Sequence, residues 1–76
     1  MFNQDIFSER LLALRKSQNL TQQKLADIAR ITHVAIVKME KGQRAASIEV
    51  LCIFADYFNV SLDYLTGRTD NPEINK

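Results

Sequence analysis

Residues 21–42 read TQQKLADIARITHVAIVKMEKG, and the punctuation of this stretch decides the fold. Thr21 precedes a helical pattern over Gln22 to Ala29, and Thr32 precedes a second one over His33 to Lys41. At either place a threonine hydroxyl can accept from one of the backbone N–H groups that a helix start leaves unbonded. Gly42 takes a left-handed backbone without steric cost and is a natural terminator. Leu25, Ala26 and Ala29 share one face of the first helix; Ile36, Met39 and Glu40 share one face of the second. Ile31 lies between as a plug, and the small alanines let the helices approach closely. The stretch therefore predicts two short helices joined by a tight turn, spanning about residues 21–41.

Upstream, Phe7, Leu11 and Leu14 recur at i, i+4 and i+7, which predicts a helix from Ile6 to Ser17 with its apolar face inward. Asp5 is the expected N-cap. Arg15 and Lys16 fall at the negative helix end, where cations are favoured. Asn19 tolerates a left-handed backbone and ends the helix, after which Leu20 re-enters the core. Downstream, Gln43 to Ala46 form a loop. Ser47 caps a fourth helix, Ile48 to Phe58, with Ile48, Leu51, Ala55 and Phe58 inward and Phe54 alongside. Asn59 ends it. Ser61 caps a short fifth helix, Leu62 to Thr66, closed by Gly67, and Val60, Leu62 and Leu65 seal the base of the core. From Arg68 the composition turns to RTDNPEINK, which predicts a flexible tail over residues 68–76. The expected architecture is a compact five-helix, all-α domain over residues 1–67.

Seventy-six residues support one domain. The single cysteine, Cys52, excludes an intrachain disulfide and suits a reducing cytoplasm. The longest apolar run, Val50 to Ala55, is far too short to span a membrane, and the N-terminus lacks the basic-then-apolar order of a signal peptide. Net charge is only +1, but it is unevenly placed. Residues 10–44 carry Arg10, Arg15, Lys16, Lys24, Arg30, Lys38, Lys41 and Arg44 against Asp27 and Glu40, a net +6. The flanks are acidic. A solvated lysine-rich surface would explain this charge as well as a phosphate-binding face would. Two helices with a tight turn make a helix-turn-helix, whose second helix can enter the major groove of DNA, and that motif favours the phosphate reading.

The chain also resembles the lambda-repressor-like (Cro/Xre) helix-turn-helix family. The resemblance rests on Leu20-Thr21-Gln22, Leu25-Ala26, Ile31-Thr32, Ile36, Met39-Glu40 and Gly42, and downstream on Leu51, Ala55 and Val60-Ser61-Leu62. It runs from about Phe7 to Leu65. It implies a lambda-repressor-like DNA-binding domain, sequence-specific binding of double-stranded DNA and a role as a small transcriptional regulator. With no separate ligand or activation domain in the chain, repression is the expected mode.

The outward positions of the second helix are His33, Val34, Val37, Lys38 and Lys41. The resemblance implies base reading for His33, Val34, Val37 and Lys38. Lys38 could donate to guanine O6 and N7, and His33 could donate or accept according to its tautomer. Val34 and Val37 could meet thymine methyl groups, or pack on a protein neighbour instead. The resemblance assigns Gln22 a phosphate contact and a bracing contact to the recognition helix. Lys41, Gln43 and Arg44, around Gly42, are expected to contact phosphates and fix register rather than sequence. The family pattern also pairs an arginine of helix one with a glutamate of the recognition helix. Here that is a structural salt bridge between Arg15 and Glu40, because an inward carboxylate needs a partner.

Two positions depart from the family pattern. Arg30 occupies a turn position usually held by glycine, at a cost of about 1 kcal/mol if the backbone there is left-handed. Ala46 stands where proline is frequent. One histidine and one cysteine do not make a zinc site. Cys52 reads as a packing residue of the fourth helix rather than a nucleophile, and no glycine-rich loop or cleft-forming insertion supports a catalytic pair of carboxylates, so an enzyme is not expected and no metal or cofactor is implied. Val50, Ile53, Tyr57 and Tyr64 are larger apolar residues than the core requires. They predict the interface of a homodimer bound to a near-palindromic operator. The competing function is a protein-interaction module, such as the antitoxin partner of a toxin, using the same apolar stripe.

Overall fold

The computed structural model describes residues 2–74. Met1 of the expected domain, and Asn75 and Lys76 of the expected tail, lie outside the described residues. Among the described residues there are five helices and no strand: α1 Gln4–Ser17, α2 Gln22–Ala29, α3 His33–Glu40, α4 Ile48–Phe58 and α5 Leu62–Leu65.

Each helix opens and closes by the same local chemistry. At the starts, a side-chain oxygen of the residue before the helix accepts the backbone N–H three residues on. Asn3 serves Ile6, Thr21 serves Lys24, Thr32 serves Ala35, Ser47 serves Val50 and Ser61 serves Tyr64. At the ends, one residue turns left-handed: Asn19, Arg30, Gly42, Asn59 and Gly67 in chain order. The next residue then donates back across the last turn. Leu20 N–H meets Arg15 O at 3.1 Å, Ile31 meets Ala26 at 3.0 Å, and Val60 meets Ala55 at 3.0 Å. This closure occupies carbonyls that the helix end would leave free, and swings Leu20, Ile31 and Val60 onto the core. Gln43 and Arg68 close α3 and α5 in the same way.

The core is assembled from one stripe of each helix. Phe7 and Leu11 of α1, Leu25 and Ala26 of α2, Ile36 of α3, Phe54 of α4 and Leu65 of α5 have no accessible surface. Burial of such side chains is worth about 1.5–3 kcal/mol each, and this is what holds helices of four to fourteen residues in place. The α2 and α3 helices pack through Ala26, Ala29 and Ala35, whose lack of bulk lets the two axes approach.

The structure corrects the expected start of α1 and the expected burial of Ile48, and adds detail at Ala35 and along residues 68–72. The N-cap of α1 is Asn3, not Asp5, and the helix begins at Gln4, not Ile6; Asp5 lies in the first turn, where its charge still faces the positive helix end. Ile48 is not inward: it is 65% exposed, because the buried stripe of Leu51, Phe54, Ala55 and Phe58 starts one turn into α4 and the core does not reach the first turn of the helix. Ala35, which the sequence reading leaves unassigned, is buried beside Ile36 and Met39 on the inner side of α3. Part of the expected loose tail is tied down. Arg10 Nη1 donates to the carbonyls of Tyr64 and Thr69, its Nη2 meets the Asp70 carboxylate at 2.8 Å, and Ser61 N–H donates to Pro72 O at 2.9 Å.

Candidate nucleic-acid interface

The α3 helix is apolar on its inner side through Ala35, Ile36 and Met39. A helix of 3.6 residues per turn then turns its other side outward. His33, Val34 and Lys38 are exposed, Val34 to 60%, whereas Val37 is half-buried. A single exposed valine is common on protein surfaces; what this one adds to the face is a methyl surface beside polar side chains. The structure thus brings three of the four expected base-reading side chains onto one open face, with Val37 at its margin.

A polar relay runs beneath this face. Arg15 Nε donates to Glu40 Oε2 at 2.6 Å and Nη2 to Oε1 at 3.1 Å, while Nη1 holds the Leu20 carbonyl at 2.8 Å. The Glu40 side chain is 4% exposed and that of Arg15 13%. Gln22, at the start of α2, donates its amide Nε2 to Glu40 Oε1 at 3.0 Å, and its Oε1 lies 3.2 Å from His33 Nε2. The first turn of α3 is therefore tied through Gln22 and Glu40 to α1. One N–H of the Gln22 amide remains for an anion.

The same segment of chain carries the positive charge. Of the eight basic residues in the central segment, Arg10 and Arg15 are consumed internally by Asp70 and Glu40. Lys16, Lys24, Arg30, Lys38, Lys41 and Arg44 remain exposed. Lys41, Gln43 and Arg44 all lie open at the C-terminal end of α3. The loop carrying them is fixed by a contact that the sequence did not announce: Gln4 Nε2 donates to Arg44 O at 2.9 Å, across forty residues. Arg30 is left-handed at φ 59°, the turn conformation in which glycine is at ease.

The expected apolar stripe is less open than its composition suggested. Val50 and Ile53 are half-buried against the core. Tyr64 lies under the Arg10 guanidinium, 4.1 Å from its ring centroid. Tyr57 is 42% exposed and Ile48 65%. No group of three or more His, Cys, Asp or Glu side chains among the described residues could hold a metal ion, and no described helix is long and apolar enough to cross a membrane.

A helix-turn-helix family model (HTH_3) matches residues 11–65, which contain the whole α2–α3 pair and its relay. The chain belongs to the lambda-repressor-like helix-turn-helix family. The helix-turn-helix relatives include YqaE of Bacillus subtilis, named an uncharacterized HTH-type transcriptional regulator. It is 38% identical over 69 residues, which cover 91% of this chain and 60% of that protein. The transcriptional repressor RstR of the cryptic phage CTXphi in Vibrio cholerae is 38% identical over 60 residues, covering 79% of this chain and 54% of RstR. The chain thus spans between half and two thirds of the length of these two relatives. Among solved helix-turn-helix structures, the restriction-modification controller protein C.AhdI of Aeromonas hydrophila superposes with a TM-score of 0.71 at 26% identity, covering 80% of this chain and 92% of that one.

Proposed function

We propose that this protein binds double-stranded DNA in a sequence-specific manner and regulates transcription, with α3 in the major groove and the exposed cations on the flanking phosphates. The observation that carries this reading is the exposed face of His33, Val34 and Lys38, a mixed polar and methyl surface ringed by Lys41 and Arg44 and braced from below by Gln22. A phosphate-binding surface alone would need the cations but not an exposed valine. Phosphate contacts by Gln22, Lys41, Gln43 and Arg44 set the register, and the α3 side chains read the bases.

The protein acts as a homodimer on a near-palindromic site. Two recognition helices must then stand about one helical turn, roughly 34 Å, apart. The domain measures 31 × 22 × 21 Å, the same order as that spacing, so a dimer of two such domains is of the right size for adjacent half-sites. Tyr57, exposed on α4 together with the half-buried Val50 and Ile53, offers the apolar surface for the contact, with the half-buried Tyr64 of α5 as a further candidate. Repression follows when such a dimer occupies a site that polymerase needs; the relatives include both a named repressor, RstR, and a named activator, BcrR of Enterococcus faecalis, so the mode rests on this occlusion argument. The setting of this function is the cytoplasm, a reducing compartment that suits the unpaired Cys52.

Random-site selection followed by mobility shifts tests the reading. The expected result is an enriched two-fold symmetric site whose affinity falls steeply with salt. Absence of any enriched sequence, together with salt-independent capture of a protein partner, would replace it with the interaction-module function. Sedimentation showing only monomer, with and without DNA, would remove the dimer.

A further inference from the structure

The relay beneath α3 decides more than the position of His33, because each of its members has restricted hydrogen-bond chemistry. The Glu40 carboxylate, gripped by two nitrogens of Arg15, can only accept. The Gln22 amide must therefore turn its NH2 group toward Glu40, and the 3.0 Å contact is that donation. Its carbonyl oxygen then faces His33 Nε2 at 3.2 Å, and a carbonyl can only accept. The neutral imidazole is left with one arrangement, in which Nε2 carries the proton and Nδ1 is a bare acceptor. His33 is exposed at the first position of the recognition helix, and no described residue forms a hydrogen bond with Nδ1.

We propose that Glu40 and Gln22 are positioning residues that lock His33 in its Nε2–H tautomer, so that His33 reads an amino-bearing base, adenine through N6 or cytosine through N4, by accepting at Nδ1. The major-groove edges of guanine and thymine offer acceptors where adenine and cytosine offer an amino donor. A bare Nδ1 facing guanine O6 or thymine O4 sets two lone pairs against each other, so the tautomer excludes bases as well as selecting them. The ion pair thus acts at a distance on specificity, through a carboxylate, an amide and an imidazole in series. This inference rests on the DNA-binding reading for its base preference, but not for the tautomer itself.

The test has two arms. His33 is the only histidine, so 15N NMR of labelled imidazole reports it without ambiguity, on the free protein at about pH 8.5 where imidazoles are neutral. The native protein should show Nε2 protonated and Nδ1 unprotonated, as a single form. Gln22→Ala and Glu40→Gln should both move the two ring shifts toward each other as the tautomers mix. In Glu40→Gln the new amide can donate as well as accept, so it no longer dictates which way Gln22 turns. In the second arm, site selection with the native protein should enrich adenine or cytosine at one position of each half-site. His33→Ala and Gln22→Ala should lose about tenfold of that preference there, the range of a single mismatched contact. An Nδ1–H form in the native protein, or ring shifts unmoved by both relay substitutions, would overturn the lock whatever the DNA result. A locked tautomer with specific binding but no base preference dependent on His33 would overturn the readout. A locked tautomer with no sequence-specific DNA binding would overturn the regulatory function and the readout with it, leaving the relay as a structural device only.

Discussion

Arg15 and Glu40, twenty-five residues apart, close a two-pronged ion pair of 2.6 and 3.1 Å that fastens α1 to the end of the recognition helix. Both side chains are largely removed from water. The pair is held from both ends, by the Leu20 carbonyl on the arginine and by the Gln22 amide on the glutamate. Removing one partner strands the other charge without water or counter-charge, which is costlier than removing both. Arg15→Ala and Glu40→Ala should each lower stability by about 3–5 kcal/mol, read as a fall in denaturant midpoint at unchanged slope. The double change Arg15→Met with Glu40→Leu should recover a large part of that loss. Single variants that melt like the native protein would contradict the account.

Arg30 holds a left-handed backbone at φ 59° with an exposed side chain. Its β-carbon crowds the following carbonyl, a strain of about 1–2 kcal/mol that glycine lacks. Glycine gives back part of this through its greater unfolded-state freedom. Arg30→Gly should therefore stabilise the domain by a net of about 0.5–1 kcal/mol, while removing one cation from the interface. Thermal melts and salt-dependent binding separate the two effects. Unchanged or lowered stability would show that the arginine side chain is held by something its exposure does not reveal.

The two glycines with positive φ should respond unequally to alanine. At Gly42 a new β-carbon would stand 3.6 Å from Ser8 Oγ and 3.7 Å from Asp5 Oδ1, which is ordinary contact, so only the backbone strain of about 1 kcal/mol applies. At Gly67 it would stand 2.9 Å from the Asn3 β-carbon and 3.2 Å from the Ile6 β-carbon, at the start of α1. Neither neighbour is a flexible side-chain tip. Overpacking adds about 1–3 kcal/mol there. Gly67→Ala should thus be the more destabilising by a clear margin in parallel denaturant melts; equal effects would mean that α1 yields freely.

Val34 and Val37 should separate in their effects on binding. Val34 is 60% exposed, so Val34→Ala should leave stability within about 0.5 kcal/mol and weaken the preference for thymine at one step. Val37 is half-buried, so Val37→Ala should cost stability as well. Site selection with both variants checks this, and an unaltered site preference would remove methyl readout from the interface.

Lys41→Ala and Arg44→Ala should weaken DNA binding evenly across sequences and each reduce the slope of log affinity against log salt by about 1. Mobility shifts on the selected site and on a scrambled one, over a range of salt, give both quantities. A loss confined to one base position would make these residues base readers.

What the sequence determined by itself is the part of the structure that is local. Thr21, Thr32, Ser47 and Ser61 act on an N–H three residues away, and Asn19, Gly42, Asn59 and Gly67 turn the chain where they stand. Those interactions need no partner from elsewhere, so helix ends, helix order and the outward face of α3 were legible before any packing was known. The segregated charge was legible for the same reason. At the start of α1 the sequence reading places the cap at Asp5, whereas the helix is capped by Asn3, which is also anchored by its N–H to the Thr66 carbonyl at the far end of the chain. The tertiary structure decided everything that depends on which surfaces meet. It alone turned Ala35 in and Ile48 out, spent Arg10 on Asp70 instead of on phosphate, and aimed the Gln22 amide so that its two ends face Glu40 and His33. Those contacts join residues eleven to sixty positions apart. A periodicity of 3.6 fixes which residues share a face of one helix, but not how far along that face the neighbouring helix reaches.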